Sequence, residues 1–170
     1  MDLAVNRTST VSASAGKNIT LDGRNYRIKA VYPHPSAPSI DLKVIEIEGP
    51  TYFPEWVPVH PDPLAVAGGT PVYIGGWGKT SAIVDGSCVE WGNRLERWAM
   101  NELEGHLAGV WSWYRFDMEY PNEGIAAVYD SGSPMLIADP DSCMMALVGI
   151  ATSATSGSAG PSCDNHTAHY

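Results

Sequence analysis

Glycine and proline cut this chain into short pieces. With 17 glycines and 13 prolines in 170 residues, a breaker recurs every few positions. Proline removes a backbone donor, and glycine raises the entropy lost on ordering. Long helices are poorly served by such a sequence. Many short strands joined by tight turns are well served, which is the pattern of an all-β barrel or sandwich. The 44% hydrophobic content is enough for one sizeable domain, or for two small barrels sharing an interface.

The segments between breakers bear this out. Residues 17–33, KNITLDGRNYRIKAVYP, predict a hairpin: a strand through Ile19–Leu21, a turn at Asp22-Gly23 and a strand through Tyr26–Val31. Asp-Gly between alternating segments is a strong two-residue turn signal. HPSAPS is a loop. A half-buried strand follows over Leu42–Ile47, with Leu42, Val44, Ile45 and Ile47 apolar, and ends at Gly49-Pro50. The proline-rich stretch 50–71 reads as an irregular crossing between two halves, 1–60 and 61–170. TPVYIGGWGKT is a strand running into a glycine turn, and MLIA and ALVGIAT are buried strands on either side of the loop ADPDSCM. Arg94–Leu107 has too poor an apolar period for a helix. The last residues begin a further strand near Ala168-His169-Tyr170.

Charge narrows the functions. The formal net charge is −9, with ten Lys plus Arg and no basic cluster. A chain of that kind is not expected to bind nucleic acid or an anionic membrane surface. No apolar run is long enough to span a bilayer. The first residues lack the basic flank and apolar stretch of a secretory signal. Cys88, Cys143 and Cys163 cannot all pair within the chain. Cys143 with Cys163 would close one loop, and no C-x-x-C spacing suggests zinc. N-x-[ST] sequons stand at Asn6, Asn18 and Asn165.

The chemistry concentrates at YDSGSP, residues 129–134. A serine hydroxyl reacts only when a base takes its proton and donors hold the oxyanion that forms. A glycine-containing turn exposes such a hydroxyl and aims successive N–H groups at one point. Asp130 beside it either meets a cation or stabilises the turn. An isolated D-S-G also occurs as an ordinary Asx-type surface turn, so the neighbouring text decides. YDSGSP followed by MLIA and LVGIATS resembles the G-D-S-G-[GS]-P-[LM] block of trypsin-like (chymotrypsin-fold) serine peptidases and the strand pair after it. GGWGKT resembles that family's G-W-G-x-T segment. VYPHPSAPSIDLKVIEI resembles its HP-loop followed by D-[IL]-A-L-L-x-L. The blocks stand in family order and span about residues 17–153.

The resemblance implies two antiparallel β-barrels of chymotrypsin-like type, the first incomplete, and an acyl-enzyme endopeptidase acting on peptides or proteins in a secreted or extracytoplasmic setting. It implies no metal and no organic cofactor. Ser131 would be the nucleophile and Asp41 the residue that orients the histidine. The backbone N–H groups of Ser131 and Tyr129 would form the oxyanion hole. Asp130 would meet an activation-generated amine. Ile125 would form the base of the substrate pocket, with Thr152, Ser153 and Ala154 as its wall. No carboxylate stands at that base, so the expected P1 residue is apolar or small.

The sequence departs from the family at three places. No T-A-A-H-C-like block precedes Asp41, and His34 matches the HP-loop instead. His60, His106, His166 and His169 all follow Asp41, away from the family's catalytic position. Tyr129 replaces a glycine. The family's terminal strand and helix are not matched. The resemblance therefore implies a chain cut at both ends and inactive as given, or else a non-catalytic binding homologue on the same fold. A further alternative is a dimeric aspartic peptidase reacting through Asp130, since VYDSGS also fits the apolar-apolar-D-[ST]-G-[ST] signature. That chemistry needs two carboxylates, and the chain has a single D-[ST]-G, so a homodimer would have to supply the second.

Overall fold

The structure, a computed structural model, describes residues 13–21, 23–35, 42–49, 56–78, 80–84, 87–91, 95–107, 111–116, 122–126, 130–140, 144–156 and 166–169. For 80–84, 87–91, 153–156 and 166–169 only the course of the backbone is described. The described residues fall into two compact units, one ending at Trp56 and one beginning at Val57. Apart from a 3-10 turn over Pro63–Ala65, their regular structure is antiparallel β-strand.

In the first unit β1 (Asn18–Leu21), β2 (Arg24–Pro33) and β3 (Lys43–Ile47) form one sheet in the order β1-β2-β3. Leu21 pairs with Arg24, so the two residues between them are Asp22 and Gly23, and Gly23 has φ +70°. That left-handed value is what a two-residue hairpin turn demands and what glycine allows. The β2–β3 register slips between Ile28 and Ala30. The extra residue resets the alternation, so that Ile28 opposite Ile47 and Val31 opposite Ile45 share one face. Lys29, Tyr32 and Glu46 meet on the other face. The Lys29 ammonium bonds the Glu46 carboxylate, and the Tyr32 hydroxyl donates to its second oxygen at 2.7 Å. Arg27 of β2 pairs with Glu48, just past the end of β3, at 3.3 Å. Ile28 is buried. The expectation of a half-buried strand over Leu42–Ile47 divides at this point: Ile45 and Ile47 are half-buried, while Leu42 and Val44 are exposed.

The second unit opens with a short parallel contact. Val59 bridges to Leu147, with the Leu147 N–H donating to Pro58 O and the His60 N–H donating to Leu147 O. The strands that follow are β4 (Pro71–Gly76), β5 (Thr80–Val84), β6 (Ser87–Trp91), β7 (Arg97–Glu102), β8 (Gly105–Leu107), β9 (Trp111–Arg115), β10 (Pro134–Asp139), β11 (Met144–Ile150), β12 (Ser153–Ser156) and β13 (His166–His169). They form sheets in the orders β11-β10-β4-β7, β12-β13-β9-β8 and β5-β6. Among the described residues these sheets are open, and none closes into a barrel. The all-β class is what the chain adopts.

The core of this unit follows the period of two along its strands. Val72 and Ile74 of β4, Met135 and Ile137 of β10, and Ala146 and Val148 of β11 pack with Val66, Leu103, Tyr114 and Ala151. Fully burying a side chain of the Val, Ile or Met class contributes roughly 1.5–3 kcal/mol. Leu136 and Leu147 are buried as well, which explains why β10 and β11 read as continuous apolar runs rather than as alternating ones. The Arg94–Leu107 text, too irregular for a helix, contains β7 and β8. The terminal strand expected near Ala168 is β13, paired with β9 and β12.

Candidate active site

The G-W-G turn after β4 and the D-S-G turn before β10 meet through one side chain. The Gly78 N–H donates to Asp130 Oδ1 at 2.5 Å. A Cβ added at Gly76 or at Gly78 would come within 2.6 Å of the Asp130 carboxyl carbon. Both glycines are therefore required by close approach: their missing side chains make the seat in which the carboxylate lies. A hydrogen bond to an ionised carboxylate is stronger than one between neutral groups, and it fixes the start of the D-S-G turn.

The turn itself is hydrogen-bonded. The Ser133 N–H donates to Asp130 O at 2.8 Å, and Gly132 has φ +84°. Asp130 is thus the first and Gly132 the third residue of a β-turn whose third position demands a positive φ. Ser131 occupies the second position and is exposed. Two bonds tether the turn to the end of β11: the Gly132 N–H donates to Ala151 O at 2.7 Å, and the Ala151 N–H donates to Ser133 O at 2.9 Å. Ser133 is buried. The Gly132 N–H is committed to this tether, so a substrate oxygen at Ser131 would have to find its donors elsewhere.

The expected pocket residues lie on two separate segments. Thr152 follows Ala151 directly, and Ser153 and Ala154 open β12. Ile125 and Ala126 pack against the hydrophobic core. They lie on a segment, 122–126, that runs beside β7. Met100 donates to Asn122 O and Gly124 donates to Met100 O, each at 3.1 Å. Asp41 and Tyr129 lie outside the described residues, as do Cys143, Cys163 and the sequons at Asn6 and Asn165.

Two residues that bear on this region gave no signal in the sequence. Asn101 is buried, and its amide reaches the carbonyls of Arg115 and Gly124, each at 2.9 Å. Tyr114 is completely buried, and its hydroxyl oxygen accepts from the Ala126 N–H at 3.2 Å. A polar residue inside an aromatic-rich stretch does not announce a buried role. Its partners come from strands that are brought together only by the fold.

Two histidines, His60 and His106, have described partners, and these are structural. His106 on β8 spans two neighbours: Nε2 lies 2.8 Å from Val66 O and must donate to it, and Nδ1 lies 3.0 Å from Ser112 Oγ. Since a carbonyl only accepts, the neutral ring carries its proton on Nε2 and receives the Ser112 hydroxyl at Nδ1. Ser112 is buried, so this Ser–His contact is a brace between β8, β9 and the chain after the 3-10 turn, closed to a substrate. His60 Nδ1 accepts from the Asp62 N–H at 3.2 Å. His166 and His169 are strand positions of β13. No protein-family model matches the chain, and no curated protein matches it.

Proposed function

We propose that this chain carries the nucleophile-bearing part of a trypsin-like serine endopeptidase built on two antiparallel β-barrels, the first of them incomplete. The observation that carries the reading is the Asp130 carboxylate between Gly76 and Gly78. The G-W-G and D-S-G blocks suggested the family separately, 52 positions apart. Their meeting through the two glycines and the acid that define them supports a common origin for both.

In this reading Ser131 Oγ attacks the scissile carbonyl carbon. A histidine base takes its proton and returns it to the leaving amine, and water then cleaves the acyl-enzyme. Asp41 orients that base. The N–H groups of Ser131 and Tyr129 hold the oxyanion. None of the five histidines matches the family position of the base, so Ser131 has no such base within residues 1–170 in this reading. The chain alone has no turnover above background.

Exogenous imidazole tests this directly. Labelling of Ser131 by a fluorophosphonate is slow in buffer and rises with added imidazole, while other exposed serines do not respond. Peptides with apolar or small P1 residues bind ahead of those ending in Lys or Arg. Labelling at a normal enzyme rate without imidazole would overturn the missing-base reading. No imidazole effect together with no peptide binding would overturn the family reading.

Tyr129 in place of glycine favours a second reading, a peptide-binding homologue without turnover. A bulky residue is costly where a turn needs glycine's backbone freedom. Peptide binding without any imidazole response is its signature. The aspartic peptidase alternative asks the Asp130 carboxylate to share a proton with a second carboxylate across a dimer. Its seat against Gly76 and Gly78 speaks against that.

A further inference from the structure

The segment 122–126 is held more firmly than a surface connection needs to be. Asn101 uses both ends of its amide. Oδ1 accepts from the Glu102 N–H at 2.6 Å. Nδ2 donates to Arg115 O and Gly124 O, each at 2.9 Å, with Glu123 Oε1 a longer third neighbour at 3.4 Å. The donor on one side and the two carbonyls on the other fix which end of the amide is oxygen. This buried side chain thus joins β7, the end of β9 and the 122–126 segment at one point. Gly124 is pressed against β7 so closely that a Cβ there would stand 2.5 Å from Ala99 Cβ. Two residues further on, the Ala126 N–H is taken by the buried Tyr114 hydroxyl at 3.2 Å.

The placement of this anchorage gives it a use. Ile125 lies between the two anchored residues Gly124 and Ala126. After Ala126 only residues 127–129 intervene before Asp130, which the Gly78 N–H holds from the other side. The proposed pocket base Ile125 therefore lies between two residues whose backbone groups are held by buried side chains. A fixed floor restricts which side chains a pocket accepts, because a buried site cannot relax to fit a larger one without breaking its own hydrogen bonds.

We propose that Asn101 and Tyr114 are positioning residues that set the depth of the P1 pocket by holding Gly124 and Ala126, and thereby restrict it to peptides with small or apolar P1 side chains. The inference rests on the peptidase reading above. Neither residue touches the substrate.

The test uses the whole chain. N-acetyl peptides with a free carboxylate and Ala, Val, Leu, Phe, Lys or Glu at the last position are titrated against it by calorimetry. Hydrogen exchange is followed at the Gly124 and Ala126 amides. Tyr114→Phe keeps the ring and removes only the hydroxyl. Asn101→Asp keeps Oδ1 and removes the donor. Leu147→Ala, a truncation of a buried residue outside the cluster that holds Tyr114, is the control for lost stability. Tyr114→Phe is expected to speed exchange at Ala126 on the order of tenfold, in keeping with one lost buried hydrogen bond. It is also expected to narrow the spread of affinities across the panel at least about threefold. Asn101→Asp does the same at Gly124, and if it does not fold Tyr114→Phe carries the test. Leu147→Ala lowers the melting temperature and leaves the order and spread of affinities unchanged. A selective wild-type chain whose selectivity survives Tyr114→Phe overturns the inference and leaves the peptidase reading standing. A wild-type chain that binds none of the six peptides overturns the inference, and it overturns the peptidase reading as well where imidazole also leaves the labelling of Ser131 unchanged.

Discussion

The Gly78 N–H and the Asp130 carboxylate meet at 2.5 Å, in a space that exists because residue 78 has no side chain. The contact couples a strand end to the turn that carries Ser131. Its strength is measurable by a double-mutant cycle. Gly78→Ala brings a Cβ within 2.6 Å of the carboxyl carbon and should cost about 1–3 kcal/mol from overpacking. Asp130→Ala should cost about 1.5–3 kcal/mol for the lost bond to a charged acceptor. The double variant should fall short of the sum by about 1–2 kcal/mol, since the methyl then has its room. Urea midpoints decide it, and strict additivity would show that the two residues do not share a contact.

Glu46 ties two strands of the first unit and makes their contact sensitive to pH at both extremes. The hydrogen bond from the Lys29 ammonium, followed by that from the Tyr32 hydroxyl, holds the Glu46 carboxyl below the usual glutamate range. The same bonds raise Lys29 and Tyr32 above theirs, in each case chiefly through Glu46. A depressed acid contributes stability that is present above its unfolded pKa and is lost as pH falls through the folded value. A raised Lys or Tyr contributes stability that is present below its unfolded pKa and is lost as pH rises through the folded value. Side-chain NMR titration of the wild type and Glu46→Gln checks this. The variant should return both Lys29 and Tyr32 toward ordinary values. If Tyr32 titrates identically in the two proteins, the bond does not persist in solution.

What the sequence made legible and what it hid follow from where each element finds its partners. The Asp22-Gly23 turn is local chemistry, and the register Leu21–Arg24 is what two residues of that kind dictate. The Val84–Ser87 pairing leaves Asp85 and Gly86 between β5 and β6, the same signal in a stretch whose strands the sequence reading did not separate. The slip between Ile28 and Ala30 is not local. Nothing in the order Ile, Lys, Ala, Val says which residue is extra until β3 lies alongside. Strands β7 to β9 stayed obscure because their inner faces carry Asn101, His106 and Ser112, while Trp98 is exposed. Buried polar groups that satisfy one another erase the alternation on which strand recognition depends. The Asp130 seat was legible only as two separate motifs.

His106 is structural, and its removal should separate stability from chemistry. His106→Ala leaves Val66 O and Ser112 Oγ without the ring that bridges them, at a cost of about 1–3 kcal/mol. Fluorophosphonate labelling of Ser131, with and without imidazole, should be unchanged under conditions where the variant is folded. A collapse of the imidazole effect in folded His106→Ala would instead give this histidine a part in the chemistry.

Gly132 and Gly23 provide a matched pair for the nucleophile turn. Both have positive φ, +84° and +70° respectively, where a side chain of ordinary handedness is strained by roughly 1–2 kcal/mol. Gly23 has nothing within 4 Å of a Cβ, so Gly23→Ala reports backbone strain alone. Gly132→Ala imposes similar strain in the turn that presents Ser131 and is tethered to Ala151. Both variants should lower the unfolding midpoint, and asparagine should be milder than alanine at each position, because its short polar side chain tolerates the left-handed region. Only Gly132→Ala should also change the imidazole-dependent labelling of Ser131. Equal labelling in the two alanine variants would mean that the turn's conformation does not control the reactivity of the hydroxyl it carries.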